Sequence, residues 1–487
     1  MIKITFVFFA CILSSFSGVA QSTVQWSDSI VVDSTTRPIT SPRIVLLSDG
    51  TPLVTCGING DFVNYTSQIW CSRFENGAFT TPVGVVQEPY EPLLYGFGGY
   101  DVALSGSQVF IVFEQQQQGI FLASSDDGGN TFGSPSSVQG SVAGGYAILP
   151  SVTVDGTDNP VVSYILHKQG ETDYMVRRSI DSGLSFNDTP VIANAPAPGG
   201  AVCECCTSDL LASGDSIWLL FRNNNQDLRD IWMSRSTDLA TTFDTATDVD
   251  ATDWQLNFCP IAGPRMARSG DSLITVWMSG ASGTPRVYLS TLHAGTMQGG
   301  QQLDFLTLSG PQISQSQADV AAVGDTIGMV FVENGNEILF HFSTKGLEGL
   351  NSQVNRFSVP DHTLQLPSVA FRNGVFHLVY VDATSHQVLY RQGILTGNSP
   401  TYEPIKGAAL GISVFPNPVE GGGGFWVKIE SDVLQEISLF DVFGNKIFGQ
   451  KSDMSEVAVP TDHLAKGVYF LKIKTQKGEE SRKIVVQ

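Results

Sequence analysis

The chain has 487 residues, of which 42% are hydrophobic and only 15% charged, with 49 Gly and 23 Pro. That length predicts two to four domains, or one large repeat fold with additions, and the composition favours tight turns over long helices or disorder. A formal net charge of −20 repels phosphate backbones and anionic lipid, which argues against nucleic acid and membrane surfaces as partners.

Residues 1–20 read as a signal peptide. Lys3 supplies the positive start, "ITFVFFACIL" the apolar core, and "GVA" a small-x-small cleavage site before Gln21. The apolar run is too short to span a bilayer, and no later stretch is long and apolar enough to do so. The mature chain is expected to be exported, soluble and free of membrane spans.

Residues 21–410 carry an internal repeat. Seven short hairpins share a turn glycine, at Gly50, Gly106, Gly156, Gly214, Gly270, Gly324 and Gly374, with spacings of 56, 50, 58, 56, 54 and 50. β-branched and aromatic residues flank each one, the pattern of a buried hairpin. A period in the fifties with several strands per unit predicts an all-β fold of β-propeller type. Seven blades is the preferred count and six the alternative, with "VQWSDSIVVD" supplying an outer strand to the last blade. A tandem sandwich is the competing architecture, but the period is too short for it.

Inner strands line a propeller's channel. Counting five residues back from the turn glycines gives Asp101, Ser151, Asp209, Arg265 and Asp319, with Arg43 and Ser368 close to the same level. These predict a polar ring at the channel mouth, where Asp101, Asp209 and Asp319 either meet a ligand or pair with Arg43 and Arg265 to hold blades together. Tyr90, Tyr95 and Tyr100 fall near the same face, as sugar-stacking rings or as packing.

After removal of the signal peptide six cysteines remain: Cys56, Cys71, Cys203, Cys205, Cys206 and Cys259. An even count in an oxidising compartment predicts disulfides. Cys56 and Cys71 suit a cross-strand bridge. The "CECC" run precedes blade four and Cys259 precedes blade five, so a disulfide from one of the three to Cys259 would staple adjacent loops. The remaining two would then pair, for instance as a vicinal Cys205–Cys206 bridge, strained because neighbouring Cα atoms are only about 3.8 Å apart. A four-thiolate zinc or copper(I) site and a redox centre are the alternatives.

Three segments follow the pattern Ser-x-Asp-x-Gly-x-Thr-aromatic. "SDDGGNTF" supplies Ser125, Asp127 and Gly129; "SIDSGLSF" supplies Ser179, Asp181 and Gly183; "STDLATTF" keeps Ser236 and Asp238 but has Ala240 for Gly. They are 54 and 57 residues apart, in step with the turn glycines. The pattern resembles the Asp-box repeats of sialidase-superfamily propellers. In that family the boxes are structural and lie away from the active site. The resemblance also implies three arginines gripping a carboxylate, a tyrosine nucleophile helped by a glutamate, and an aspartate acid/base. The candidates here are Arg43, Arg222, Arg265 and Tyr380, none within a complete family motif.

The tail, residues 411–487, carries only 10 Asp and Glu against 9 Lys and Arg, so the acidity belongs to the body. Its alternating apolar residues predict a small β-sandwich. Pro416-Asn417-Pro418, Asp441 with Gly444, and Lys466-Gly467-Val468-Tyr469 resemble the C-terminal sorting domain of the type IX secretion system. That resemblance implies a Bacteroidetes-type bacterium, handling by the type IX machinery, and export across the outer membrane to the cell surface or beyond. Together these readings predict a secreted propeller that recognises glycans or glycoproteins at its channel face. An exo-acting sialidase-type hydrolase is the second reading and a surface metal-binding protein the third. The incomplete motifs and the acidic body favour binding.

Overall fold

The computed structural model describes residues 22–60, 66–115, 118–305, 312–396 and, in the tail, 412–417, 419, 424–429, 433–441, 446–461, 464–475 and 478–486. The signal peptide lies outside the described residues. The chain divides into two compact units, residues 1–398 and 399–487.

In the first unit the described residues form seven antiparallel sheets of four or five strands. Their innermost strands are Ile39–Leu46, Tyr100–Ser105, Gly145–Val154, Asp209–Ser213, Arg265–Ser269, Gln315–Val323 and Leu364–Arg372. Each contacts the next in that order, and the last contacts the first, so the sheets stand around a common axis. Because every sheet is covered on both faces, the second strands read as continuous apolar runs. All eight residues of Thr326–Glu333, for example, are buried.

A separate hydrophobic core fills each gap between consecutive sheets. Leu53, Ile69 and Cys71 of sheet one pack on Val109, Ile111 and Phe113 of sheet two. The gap between sheets seven and one is filled in the same way by Val379, Val381 and Tyr390 against Ile44, Val54 and Cys56. The early strands Thr23–Trp26 and Ile30–Ser34 both pair with Gln387–Thr396, so the start of the unit completes its last sheet. Trp26 anchors that edge, its ring 4.9 Å from Phe340 and 5.1 Å from Phe357, both edge-on.

Six of the seven hairpin glycines have positive φ, whereas Gly156 does not. At Gly156 the reason for glycine is space, since a Cβ there would come within 2.6 Å of the Gly214 backbone.

Four inner strands share an irregularity that shapes the channel. Their ladders slip between Thr40 and Arg43, Ile148 and Ser151, Ser316 and Asp319, and Gln365 and Ser368. In each slip one non-glycine residue is left-handed: Ser41, Leu149, Gln317 and Leu366, with φ of 40°, 51°, 55° and 53°. A bulge at the same level of four sheets turns the upstream residues towards the axis.

The described residues of the second unit form a three-stranded and a four-stranded sheet. Strict alternation, as in Gly467–Thr475, puts Leu471 and Ile473 into a core shared with Phe425, Val427 and Leu439 from both sheets, the predicted small sandwich. Asn417 ties its first segment to the last strand, accepting from Val485 N–H at 2.9 Å and donating to Lys483 O at 2.7 Å.

Candidate binding site at the channel mouth

The ring residues come together, and their hydrogen bonds run from each sheet to the next. Asp101 Oδ2 accepts from Ser151 Oγ at 2.9 Å and from Val152 N–H at 3.2 Å. Asp209 accepts from Met266 N–H at 2.7 Å, and Asp319 from Val369 N–H at 2.9 Å. Ser368 Oγ accepts from Ile44 N–H at 3.4 Å across the closing gap. Arg43 lies 3.8 Å from Asp101, and Arg265 Nη1 lies 3.4 Å from Asp209. Burial pushes the carboxyls of Asp101, Asp209 and Asp319 upward, and Arg43 partly opposes this for all three. The neighbouring acids Asp101 and Asp319 raise Asp209 further. Each ring acceptor thus satisfies a backbone N–H of the following inner strand, and the ring stitches sheets together.

The arginine grip expected for a carboxylate does not form. Arg222 is fully buried. Its guanidinium donates to Ala262 O at 3.1 Å, Arg229 O at 2.7 Å and Met278 O at 2.6 Å. It is the clasp of three chain segments, with no face left for a substrate. Tyr380 is likewise buried in the core between sheets six and seven, its hydroxyl accepting from Arg391 Nε at 3.0 Å. It is therefore not placed as a nucleophile at the channel mouth.

A cavity of about 450 Å³ lies where the inner strands begin, lined by Thr40, Asn59, Phe97, Ile261, Gln317 and Gln365 together with backbone and aliphatic groups. These come from sheets one, two, five, six and seven or the segments leading into them, and no charged side chain lines it. Among the described residues, Thr40 Oγ1 and Asn59 Oδ1 are buried without a hydrogen-bond partner. The sequence reading missed these residues, although its own register held the signal. Thr40 and Gln365 stand three residues before ring positions Arg43 and Ser368, and Gln317 stands two before Asp319.

Of the tyrosines, Tyr100 is buried and donates to Ser41 O at 2.6 Å, and Tyr90 packs on Phe113 and Phe121. Tyr95 supports the cavity wall by stacking on Phe97 at 5.6 Å. Its hydroxyl donates to Glu114 Oε1 at 3.0 Å, while Glu114 Oε2 accepts from Leu149 N–H at 3.2 Å. Burial outweighs those bonds and raises the Glu114 carboxyl to about 7.

The cysteine cluster stands behind this wall. Cys205 and Cys259 form a disulfide with Cα atoms 6.4 Å apart, joining the segments before sheets four and five. Ile261, which lines the cavity, is two residues beyond Cys259. Cys203 and Cys206 are buried free thiols, so the vicinal Cys205–Cys206 bridge is not formed. Their Sγ atoms are 2.9 Å apart, and Arg229 Nη1 donates to Cys203 Sγ at 3.3 Å. The hydrogen bond with Cys206, then burial, raise Cys203 far above the usual thiol range. Burial acts against ionisation of Cys206 too, but the bond from Cys203 and the charge of Arg222 bring it down to about 7. The pair is thus arranged to hold one negative charge.

The expected Cys56–Cys71 bridge is also absent, for a reason of sheet parity. Cys56 pairs with Trp70 and Cys71 with Thr55, so the two sulfurs point to opposite faces of sheet one. Cys56 belongs to the core shared with sheet seven and Cys71 to the core shared with sheet two.

The Asp boxes close turns at the other end of the sheets, beside the hairpin turns: Gly128 N–H donates to Ser107 O at 2.9 Å and Leu239 N–H to Asp215 O at 3.1 Å. In the first box Ser125 Oγ donates to Asp127 Oδ1 at 2.8 Å and accepts from Gly129 N–H at 2.9 Å. Ser179 with Asp181 and Gly183, and Ser236 with Asp238 and Ala240, repeat this pattern. Burial alone would raise Asp127, but the bonds from Thr131, Ser125 and Asn130 together outweigh it and lower the carboxyl to about 2.

Residues 413–487 match the secretion system C-terminal sorting domain. The tail is a sorting domain. It marks the chain for type IX secretion to the cell surface or beyond, and among the described residues no helix is long and apolar enough to cross a membrane. No curated protein matches the chain. Among solved structures, a protein of unknown function from Dyadobacter fermentans aligns over 77% of this chain and 99% of its own, with 10% identity and a TM-score of 0.45. An α-L-arabinofuranosidase from Fusarium graminearum aligns over 77% and 97%, with 13% identity and a TM-score of 0.40. A Hadza microbial sialidase, Hz136, aligns over 74% and 66%, with 10% identity and a TM-score of 0.43. The assignment of this fold rests on the sheet order and the ring of inner strands described above.

Proposed function

We propose that the exported propeller binds neutral glycans, free or on glycoproteins, in the cavity at its channel mouth. The observation that carries this reading is the chemistry of the lining: amides and a hydroxyl, one aromatic ring, and no charge. Beneath the lining, Thr40 Oγ1 and Asn59 Oδ1 are sealed from solvent and find no hydrogen-bond partner among the described residues. Phe97 offers a flat apolar face to the sugar ring, and the volume falls in the range of roughly 300–1,000 Å³ usual for small-molecule sites. A carboxylated sugar finds no guanidinium there, because Arg43 and Arg265 are paired in the ring and Arg222 is sealed in the body.

The test is a glycan array probed with the full chain and with an Asn59→Ala, Gln365→Ala double variant. Neutral glycans should be retained, little affected by salt, and lost at least about tenfold in the variant. Hydrolysis of sialosides that disappears in Arg43→Ala would overturn the reading in favour of an exo-sialidase.

A further inference from the structure

The sulfur cluster has a feature that a plain staple does not need. Cys203 Sγ lies 2.9 Å from Cys206 Sγ and 3.2 Å from Cys259 Sγ, and Cys206 and Cys259 are 3.6 Å apart. All three ligand atoms fall within 4.8 Å of one another, and the fourth sulfur, Cys205, is bonded to Cys259. Four sulfurs therefore share a space one cation wide. Two arginines adjoin the cluster. Arg229 donates to Cys203 Sγ, and Arg222, fully buried, offers its hydrogen bonds to carbonyls alone. Carboxylates stand near both arginines: Glu204 pairs with Arg229 at 2.8 Å, and Asp230 and Asp250 act on Arg222 through their charge.

We propose that Cys203, Cys205, Cys206 and Cys259 form a redox-gated site for one thiophilic d¹⁰ cation, zinc(II) or copper(I). In the oxidised state the Cys205–Cys259 disulfide joins the two segments. A dithiol reductant opens it: the reductant's two sulfurs bond to each other, the Cys205–Cys259 bond breaks, and two electrons and two protons pass to the two cysteines. Binding of the cation then releases thiol protons to solvent as the sulfurs become ligands. Cys203, Cys206 and Cys259 are already grouped, and Cys205 takes the fourth tetrahedral position. The consequence is that the segments before sheets four and five stay clamped in either redox state. Thr207, beside Cys206, is wedged against Gly98 and Gly263, so the clamp also bears on the segment carrying Phe97.

The experiment uses the full chain, reduced with a dithiol, desalted without oxygen and titrated with Co²⁺ as a spectroscopic probe. About one equivalent should bind, with thiolate-to-cobalt charge transfer in the near ultraviolet and the visible bands of tetrahedral Co²⁺. Zn²⁺ and Cu⁺ added separately should displace it, and whichever does so at lower concentration is the better fit. The unreduced chain should bind at least about tenfold more weakly, as should reduced Cys203→Ser. Cys205→Ser, which cannot form the observed disulfide, should bind Co²⁺ without a reductant. Absence of the charge-transfer band in the reduced wild-type chain would overturn the proposal without relying on any variant. So would unchanged binding by Cys203→Ser, or a Cys203–Cys206 disulfide in place of metal in Cys205→Ser.

Discussion

Arg222 and Glu114 show how much depends on single buried polar groups in this molecule. Arg222 joins the carbonyls of Arg229, Ala262 and Met278. Arg222→Ala removes all three bonds, and a loss of about 3–5 kcal/mol is expected in urea unfolding. Glu114 acts through its proton. Its folded carboxyl, at about 7, lies above the ordinary 4.5, so the folded chain keeps a proton that the unfolded chain has lost. Its contribution is present in full below about pH 4.5 and is lost as pH rises through about 7, a change of about 1–3 kcal/mol. Asp230, buried and raised to about 6, acts in the same window. The measurable quantity is therefore the difference between wild type and Glu114→Gln, and the wild type should show the steeper fall from pH 5 to 8. The ring residues were legible by counting from turn glycines. The role of Arg222 was not, because its three acceptors come from segments that only the folded sheets bring together.

At the scale of the element, the Asp-box turn is the unit most fully written in the sequence. Serine, aspartate and a left-handed residue recur with the same bonds in three sheets. The third box tests the backbone argument. Ala240 occupies the left-handed position at φ 60° where the other boxes have glycine, so Ala240→Gly should stabilise by about 0.5–1 kcal/mol. In Gly183→Ala the sign reverses, since the residue has φ 87° and its new methyl would come within 2.6 Å of Leu122. A loss of about 1–3 kcal/mol is expected there, and thermal unfolding of both variants checks the pair. The inner-strand bulges were the illegible element. Residues such as Ser41 and Leu366 carry no glycine signal for a left-handed backbone, and their slip puts Thr40, Gln317 and Gln365 at the mouth where strict alternation would not. Pairing register, equally hidden, decides that Cys56 and Cys71 face opposite ways.

Across the whole molecule, closure and address account for the arrangement. The last sheet of the first unit is finished by Thr23–Trp26 and Ile30–Ser34, so its stability depends on a contact made between distant parts of the chain. Trp26→Ala should cost about 2–3 kcal/mol, less than the ~3–5 of a fully buried tryptophan because this edge is partly exposed, and should expose the flank of Gln387–Thr396 to protease. The second unit carries the address and folds around its own core. The repeat period, the turn glycines and the sorting motifs made this plan readable from sequence. The cavity was not, since it is assembled from five sheets at one level and no local motif encodes it. The most direct measurement of the central claim is a crystal structure of the chain with a neutral oligosaccharide selected on the array. Sugar hydroxyls are expected on the amide groups of Asn59 and Gln365, with a ring face on Phe97. A ligand seated elsewhere, or one that draws Arg43 and Arg265 away from Asp101 and Asp209 to hold a carboxylate, would contradict it.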